Sequence, residues 1–357
     1  MDSGIDSTQN IENACKVVAE AAKKGARWIA LPEMFTYMGP YEHLAHEART
    51  STPAALSRLM ELAKKLNVVI FAGTVPEHPD HIIQTAHSDW VSIKLSKRAT
   101  ERTDQKANEK TDEQTFETTS KKHEPGDVVS DTPPRSQIQS TSLTGEHKKT
   151  AKLQLGVETR DKDENNTKNL DSQKTEKVYN TLCVIDHEGN LVHKYRKTHL
   201  FSLSGNDAEN RYDEASGYLS GDEFSSILVD GFWVHLSVCF DIRFSGMFQK
   251  LQKLSDCDVI ICPSAFTQAT GSRHWHLLMR ARATEYQCYV IASSQVGKKH
   301  RGSKNYGHAL ICDPLGKILC DSGTETGVVY ATLDKSFMDQ VRSSIPVVRG
   351  GRKDLYD

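Results

Sequence analysis

No stretch of the 357 residues approaches the roughly 20 consecutive apolar residues of a membrane span, so a membrane protein is not expected. Neither sign of charge is in excess. The formal net charge is -2 and there is no basic stripe, which argues against nucleic acid as the partner. Met1-Asp2-Ser3-Gly4 is no signal peptide. The eight cysteines include no CxxC pair, so neither a zinc framework nor a dithiol redox motif is indicated. There is no glycine-rich phosphate loop, because the glycines before Glu33 and Cys239 lack that fingerprint. Fifteen histidines are available, but His274 and His276 are two apart on an expected helix and do not share a face. Neither a metal at His274, His276 or His308 nor any other cofactor is expected.

The composition divides the chain. Residues 1–81 and 177–357 read as globular, while 82–176 read as a polar insertion. Residues 99–177 hold one Phe and no Trp. Such a segment buries too little apolar surface to offset the entropy of ordering, and it is expected to be disordered. Residues 82–98 are less polar and are expected to form a short helix. Loop closure becomes costlier only slowly with length, so the flanks can still make one domain. The insertion reads as a solvated loop, with a binding tail as the functional alternative.

Apolar spacing at Ile11, Ala14, Cys15, Val18 and Ala22 predicts a helix stopped by Gly25, and Leu56, Leu59, Met60 and Ala63 predict another stopped by Asn67. Residues 68–75 read as one buried strand. A hairpin over 178–195 turns at Asp186-His187-Glu188-Gly189-Asn190. Strands at 225–229 and 232–238 follow, then a helix near 244–254 and a strand at 258–262. The remainder reads as a helix over 272–286, a strand at 288–292, a hairpin over 305–319 and a last strand at 328–333. Strands alternating with helices, together with hairpins, indicate mixed sheets covered by helices.

Three chemically distinct side chains fall at the ends of expected strands: Glu33, Lys197 and Cys239. Open α/β sheets put their chemistry at strand carboxyl ends. A carboxylate, an ammonium and a thiol together suffice for nucleophilic acyl transfer, because a base or a neighbouring cation makes the thiol reactive. Taken singly, each has a plainer reading: Cys239 as a core residue, Glu33 and Lys197 as surface charges. The other cysteines read as reduced, buried residues of a cytosolic protein. Arg243 reads equally as a ligand for a substrate carboxylate or as an ion-pair partner of Glu285 or Asp241. Phe266 reads as a pocket wall or a core residue, and Trp275 as packing.

The segments Leu31-Pro32-Glu33, Tyr195-Arg196-Lys197-Thr198-His199 and Val238-Cys239-Phe240-Asp241-Ile242-Arg243-Phe244 resemble the nitrilase superfamily, in its amidase branch. Pro263-Ser264-Ala265-Phe266, His274-Trp275, Arg280-Ala281-Arg282-Ala283, Tyr306-Gly307-His308 and Asp354-Leu355-Tyr356 extend the likeness over nearly all of the chain except the insertion. Met1-Asp2-Ser3-Gly4 is similar to residues that follow the family's first strand, so that strand is expected to be missing. The resemblance implies an α-β-β-α sandwich of two mixed sheets covered by helices. It implies a cysteine amidase working without cofactor on a small-molecule amide, as a homodimer or higher homo-oligomer, in the cytoplasm, with the mitochondrion as the open alternative.

Within that likeness Cys239 is the nucleophile, Glu33 the proton acceptor and Lys197 the oxyanion stabiliser, helped by the Phe240 backbone N–H. Glu214 matches the family's second glutamate, although an acidic loop residue taken alone reads as solvated. The downstream blocks are most similar to deaminated glutathione amidases, which implies release of 2-oxoglutarate and cysteinylglycine. ω-Amidase action on 2-oxoglutaramate or succinamate is the alternative. Two rivals come from other classes, a papain-like Cys–His hydrolase and a catalytically impaired scaffold.

Overall fold

The computed structural model describes residues 1–86, 90–94, 176–203, 212–299, 302–352 and Leu355. Most of the expected insertion, 95–175, lies outside the described residues. The described residues belong to one compact unit, within Met1–Ala99 and Lys174–Asp357.

The first half supplies helices α1 (Ser7–Lys23), α2 (Leu44–Arg49) and α3 (Ser51–Leu66). It also supplies strands β1 (Trp28–Ala30), β2 (Val69–Phe71), β3 (Val75–Glu77) and β4 (Trp90–Lys94). After the gap come β5 (Val178–Ile185), β6 (Leu191–Arg196), β7 (Ser202–Leu203), β8 (Tyr212–Asp213) and β9 (Tyr218–Leu219). Then follow β10 (Glu223–Val229), β11 (Phe232–Leu236), α4 (Ser245–Gln252), β12 (Val259–Ile261) and α5 (Gln268–Tyr286). The last elements are β13 (Tyr289–Ala292), β14 (Leu310–Cys312), β15 (Ile318–Asp321), α6 (Lys335–Ser344) and the short helix α7 (Val347–Gly350).

The strands form two mixed sheets. One is six-stranded, with the path β1-β2-β5-β3 and with β6 and β9 also paired to β5. The other is seven-stranded, in the order β15-β14-β13-β12-β11-β10-β4. Alternation along the strands sorts the layers, because successive side chains point to opposite faces. Val69, Phe71, Leu182 and Val184 join the core that holds Val234, Leu236, Val259 and Ile261 of the second sheet. Their neighbours Ile70, Cys183 and Ile185 pack instead with Ile11, Val18, Leu59 and Ala63 of α1 and α3. Trp275, Met279 and Ala283 of α5 cover the second sheet. This is the expected α-β-β-α sandwich. No helix among the described residues is long and apolar enough to cross a membrane.

Three elements differ from the sequence expectation. Residues 90–94 form a strand, not part of a helix, because β4 finds an antiparallel partner in β10 at the sheet edge. The apolar run 68–75 is two strands. Gly73 breaks it at φ 49, where a Cβ would lie 2.1 Å from the Pro32 carbonyl oxygen. Residues 328–333 enter no ladder. They border a cleft of about 600 Å³ that is also lined by β1 and Met1. None of Glu33, Lys197, Glu214 or Cys239 lines that cleft.

Gly73 therefore keeps the Pro32-Glu33 segment in place. Gly73→Ala combines a left-handed backbone with a clash against that segment, and is expected to cost more than about 1 kcal/mol. Urea denaturation followed by circular dichroism measures it.

Candidate functional site

The ends of β1, β6 and β11 carry Glu33, Lys197 and Cys239. Glu33 is pinned from both sides through its backbone. Ser293 Oγ donates to the Leu31 carbonyl at 2.8 Å, Met34 N–H donates to Thr74 Oγ1 at 2.8 Å, and Gln295 Nε2 donates to the Glu33 carbonyl at 2.9 Å. Its side chain is 1 % exposed, and Oε1 accepts from Asn180 Nδ2 and from Lys197 Nζ, both at 2.9 Å. Lys197 is itself fully buried. Its backbone N–H continues the β5–β6 ladder by donating to the Asn180 carbonyl at 2.9 Å. The ammonium also reaches Glu214 at 2.8 Å, and Glu214 accepts a second bond from the Phe201 N–H at 2.8 Å. Glu214, buried at the start of a short 3-10 turn, is thus no solvated loop residue.

Cys239 occupies a strained turn between β11 and a 3-10 helix over Cys239–Arg243. Its φ is 51, a conformation uncommon for a residue with a Cβ. Asp241 holds this turn. It accepts from the Val238 N–H at 2.9 Å, the Tyr195 hydroxyl at 2.8 Å and the His199 N–H at 3.0 Å. Cys239 N–H donates to the Pro263 carbonyl at 2.9 Å. The next N–H, that of Phe240, lies in the first turn of the 3-10 helix, where amides have no partner within the helix.

Electrostatics here are those of charges removed from water. Burial works against charging Lys197, but Glu214 and Glu33 outweigh it and its pKa stands well above the lysine range. Burial and the Glu33 charge raise the Cys239 thiol well above its ordinary value, against the opposing pull of Lys197. The sequence argument that the ammonium favours a thiolate is therefore incomplete. Lys197 is already neutralised by two carboxylates, so the resting sulfur is protonated and needs a base. Burial also raises Glu214, with Lys197 acting to lower it.

The pocket over Cys239 is lined by Glu33, Glu214, Phe240, Arg243, Phe266 and Lys299, together with Phe201, Tyr212, Ala265, Thr267 and Thr270. Its free volume is about 10 Å³. Phe266 is both pocket wall and core residue, 4 % exposed with its ring 5.0 Å from Trp275. Trp275 packs, as expected. Arg243 pairs with neither Glu285 nor Asp241. Glu285 is taken by Arg282 and Asp241 by Tyr195 and His199, which leaves Arg243 to donate to His274 at 3.2 Å and to lie over the Phe240 and Phe266 rings.

Seven cysteines are buried, Cys320 is partly exposed, and all eight thiols are free. His274 and His276 diverge as the helix spacing requires, yet His276 does meet His308. Both histidines hydrogen-bond Asp321, at 2.9 and 3.0 Å. Sequence reasoning missed Asn180, the anchoring role of Asp241, and Lys299. Asn180 carried a weak signal, as a polar residue on an inward face of an apolar strand. Lys299 carried none, since it sits in the basic run Lys298-Lys299-His300-Arg301.

Cys239 alkylation by iodoacetamide, followed by mass spectrometry of its peptide, is expected to accelerate only at pH above the range of an ordinary thiol. Glu214→Gln removes a negative charge that raises the thiol, so the profile should move to lower pH.

A profile of the carbon-nitrogen hydrolase family matches residues 2–130 and 160–343. Deaminated glutathione amidase of Mus musculus is 35% identical over 190 residues, which are 52% of this chain and 57% of that protein. Omega-amidase NIT2 of Xenopus tropicalis is 25% identical over 349 residues, 98% of this chain and 91% of that protein. The match thus spans little more than half the length of the mouse amidase. Among solved structures, the C. elegans NitFhit protein aligns with a TM-score of 0.66 at 22% identity, covering 100% of this chain and 64% of the other. Saccharomyces cerevisiae Nit3, of the nitrilase superfamily, aligns with 0.62 at 21% identity, covering 98% and 93%.

Proposed function

The chain belongs to the carbon-nitrogen hydrolase family, and from that premise we propose that it is a cysteine amidase using Cys239, Glu33 and Lys197. The observation that carries this reading is the buried Glu33–Lys197–Glu214 cluster beside the Cys239 thiol on a strained turn. Glu33 takes the thiol proton as Sγ bonds to the amide carbon. Lys197 and the Phe240 N–H stabilise the resulting oxyanion. Glu33 passes the proton to the nitrogen, the C–N bond breaks and the amine leaves, so that a thioester remains. Water then attacks it, giving its proton to Glu33, which returns a proton to the departing sulfur. Glu214 positions Lys197 and shares its charge.

The proposed substrate is a small 2-oxo-acid amide, first deaminated glutathione, cleaved to 2-oxoglutarate and cysteinylglycine. ω-Amidase action on 2-oxoglutaramate is the second reading. The names of relatives at 35% identity support both. So does Arg243, which no carboxylate neutralises among the described residues.

Cys239→Ala is expected to abolish turnover of both substrates, and Lys197→Met to lower kcat by about 10²–10³. Side-by-side assays of deaminated glutathione and 2-oxoglutaramate, with mass spectrometry of the Cys239 thioester, measure this. Turnover by Cys239→Ala at the native rate would remove the assignment. Loss of all activity in Glu33→Gln would count against a Cys–His hydrolase.

A further inference from the structure

Helical spacing separates His276 from His274, but it says nothing about His276 and His308. His276 lies on α5, His308 just before β14 and Asp321 at the end of β15, and the fold brings the three together. His276 Nε2 is 2.9 Å from Asp321 Oδ2, and His308 Nδ1 is 3.0 Å from Oδ1 and 3.1 Å from Oδ2. One donor atom from each residue lies within 4.8 Å of the other two. The side chains are between 23 % and 31 % exposed, so an ion can reach them from solvent. None of the three lines the pocket over Cys239.

These side chains are already held in place. His308 adopts φ 58, uncommon for a residue with a Cβ. Its N–H donates to the Gly323 carbonyl at 2.6 Å, and its own carbonyl accepts from Trp275 Nε1 at 2.8 Å. Its ring stacks on Tyr306, with centroids 4.5 Å apart. The Tyr306 hydroxyl is 3.4 Å from His276 Nδ1, the nitrogen not used on Asp321. A metal-ligating histidine ordinarily gives its second N–H to such an oxygen. The Gly323 N–H donates to Asp321 Oδ1 at 2.8 Å and fixes the carboxylate.

We infer that His276, His308 and Asp321 bind a divalent transition-metal ion of the zinc class, at a site separate from the pocket. Two imidazole nitrogens and one carboxylate oxygen suit Zn²⁺, whereas Mg²⁺ prefers oxygen donors. Tetrahedral bonds of about 2.0–2.2 Å set donors roughly 3.3–3.5 Å apart, so the contacts to Asp321 open only slightly. The ion takes the place of the protons between the imidazoles and the carboxylate, and water fills the fourth position. One other group among the described residues has metal-ligand spacing, His78, Asp80 and Glu176. There Arg49 Nη2 lies 2.8 Å from both His78 Nε2 and Glu176 Oε1, so a cation already holds that place. A bound ion would tie α5 to the β14–β15 hairpin and raise the melting temperature by mass action.

This inference is independent of the amidase reading. Its test is equilibrium dialysis against Zn²⁺ of the Cys239→Ala chain, which removes that thiol as a rival ligand. Adding His276→Ala or His308→Asn is expected to cost one bound ion per chain; asparagine tolerates the left-handed backbone at 308. Adding Tyr306→Phe is expected to weaken binding by about 10–10²-fold, as loss of an outer-shell partner does. Co²⁺ in place of Zn²⁺ should give an absorption spectrum without a thiolate charge-transfer band. A second measurement needs no substitution at the site. Diethyl pyrocarbonate labelling, read by peptide mass spectrometry, should be slowed by Zn²⁺ at His276 and His308 and not by Mg²⁺. No retained Zn²⁺, the same number of ions bound in both histidine variants, a thiolate band, or labelling of both histidines unchanged by Zn²⁺ would each overturn the site.

Discussion

Lys197 is fully buried, with its ammonium 2.9 Å from Glu33 and 2.8 Å from Glu214. Desolvating three ionisable groups costs several kcal/mol each, recovered only when geometry and further hydrogen bonds are favourable. Here the further bonds are present. Asn180 donates to Glu33 and the Phe201 N–H donates to Glu214. The cluster therefore needs its surrounding backbone to be held, and much of the architecture does that. Ser293, Thr74 and Gln295 fix the Glu33 segment, the β5–β6 ladder fixes Lys197, and Asp241 fixes the turn carrying Cys239.

The same cluster bears on the protonation of Cys239, the proposed nucleophile. An isolated ammonium beside a thiol would favour the thiolate. An ammonium neutralised by two carboxylates does not, and burial dominates. In the proposed mechanism a thiol with a raised pKa is protected from adventitious reaction and is activated when a substrate carbonyl arrives beside Glu33. The narrow pocket acts in the same direction, since excluding water strengthens each electrostatic contact inside it.

Much of the fold was legible because the apolar patterns are strong. The α1 and α3 stripes, the hairpin at Asp186–Asn190 and the alternation leading into Cys239 all follow from local periodicity. The departures have a common cause. Strand β4 is weakly patterned and is decided by its pairing with β10. Residues 328–333 have a strand pattern but no ladder partner. Gly73 splits a continuous apolar run because of what Pro32 places next to it. In each instance the presence or absence of a distant partner, not the local preference, decides the outcome.

The sequence by itself determined mixed sheets covered by helices, the chemical kinds of the side chains at the strand ends and the order Glu33, Lys197, Cys239. These depend on spacing and residue type, which are local properties. Only the tertiary structure decided which charges meet. Arg243 had two carboxylates available on paper, and both proved to be engaged elsewhere. Lys299 sat unremarked in a basic run, yet the fold buries it against the pocket over Cys239. Whether a charge is solvated, paired or buried without a counter-charge depends on neighbours far away in the chain, and the electrostatic cost of burial is settled by those neighbours.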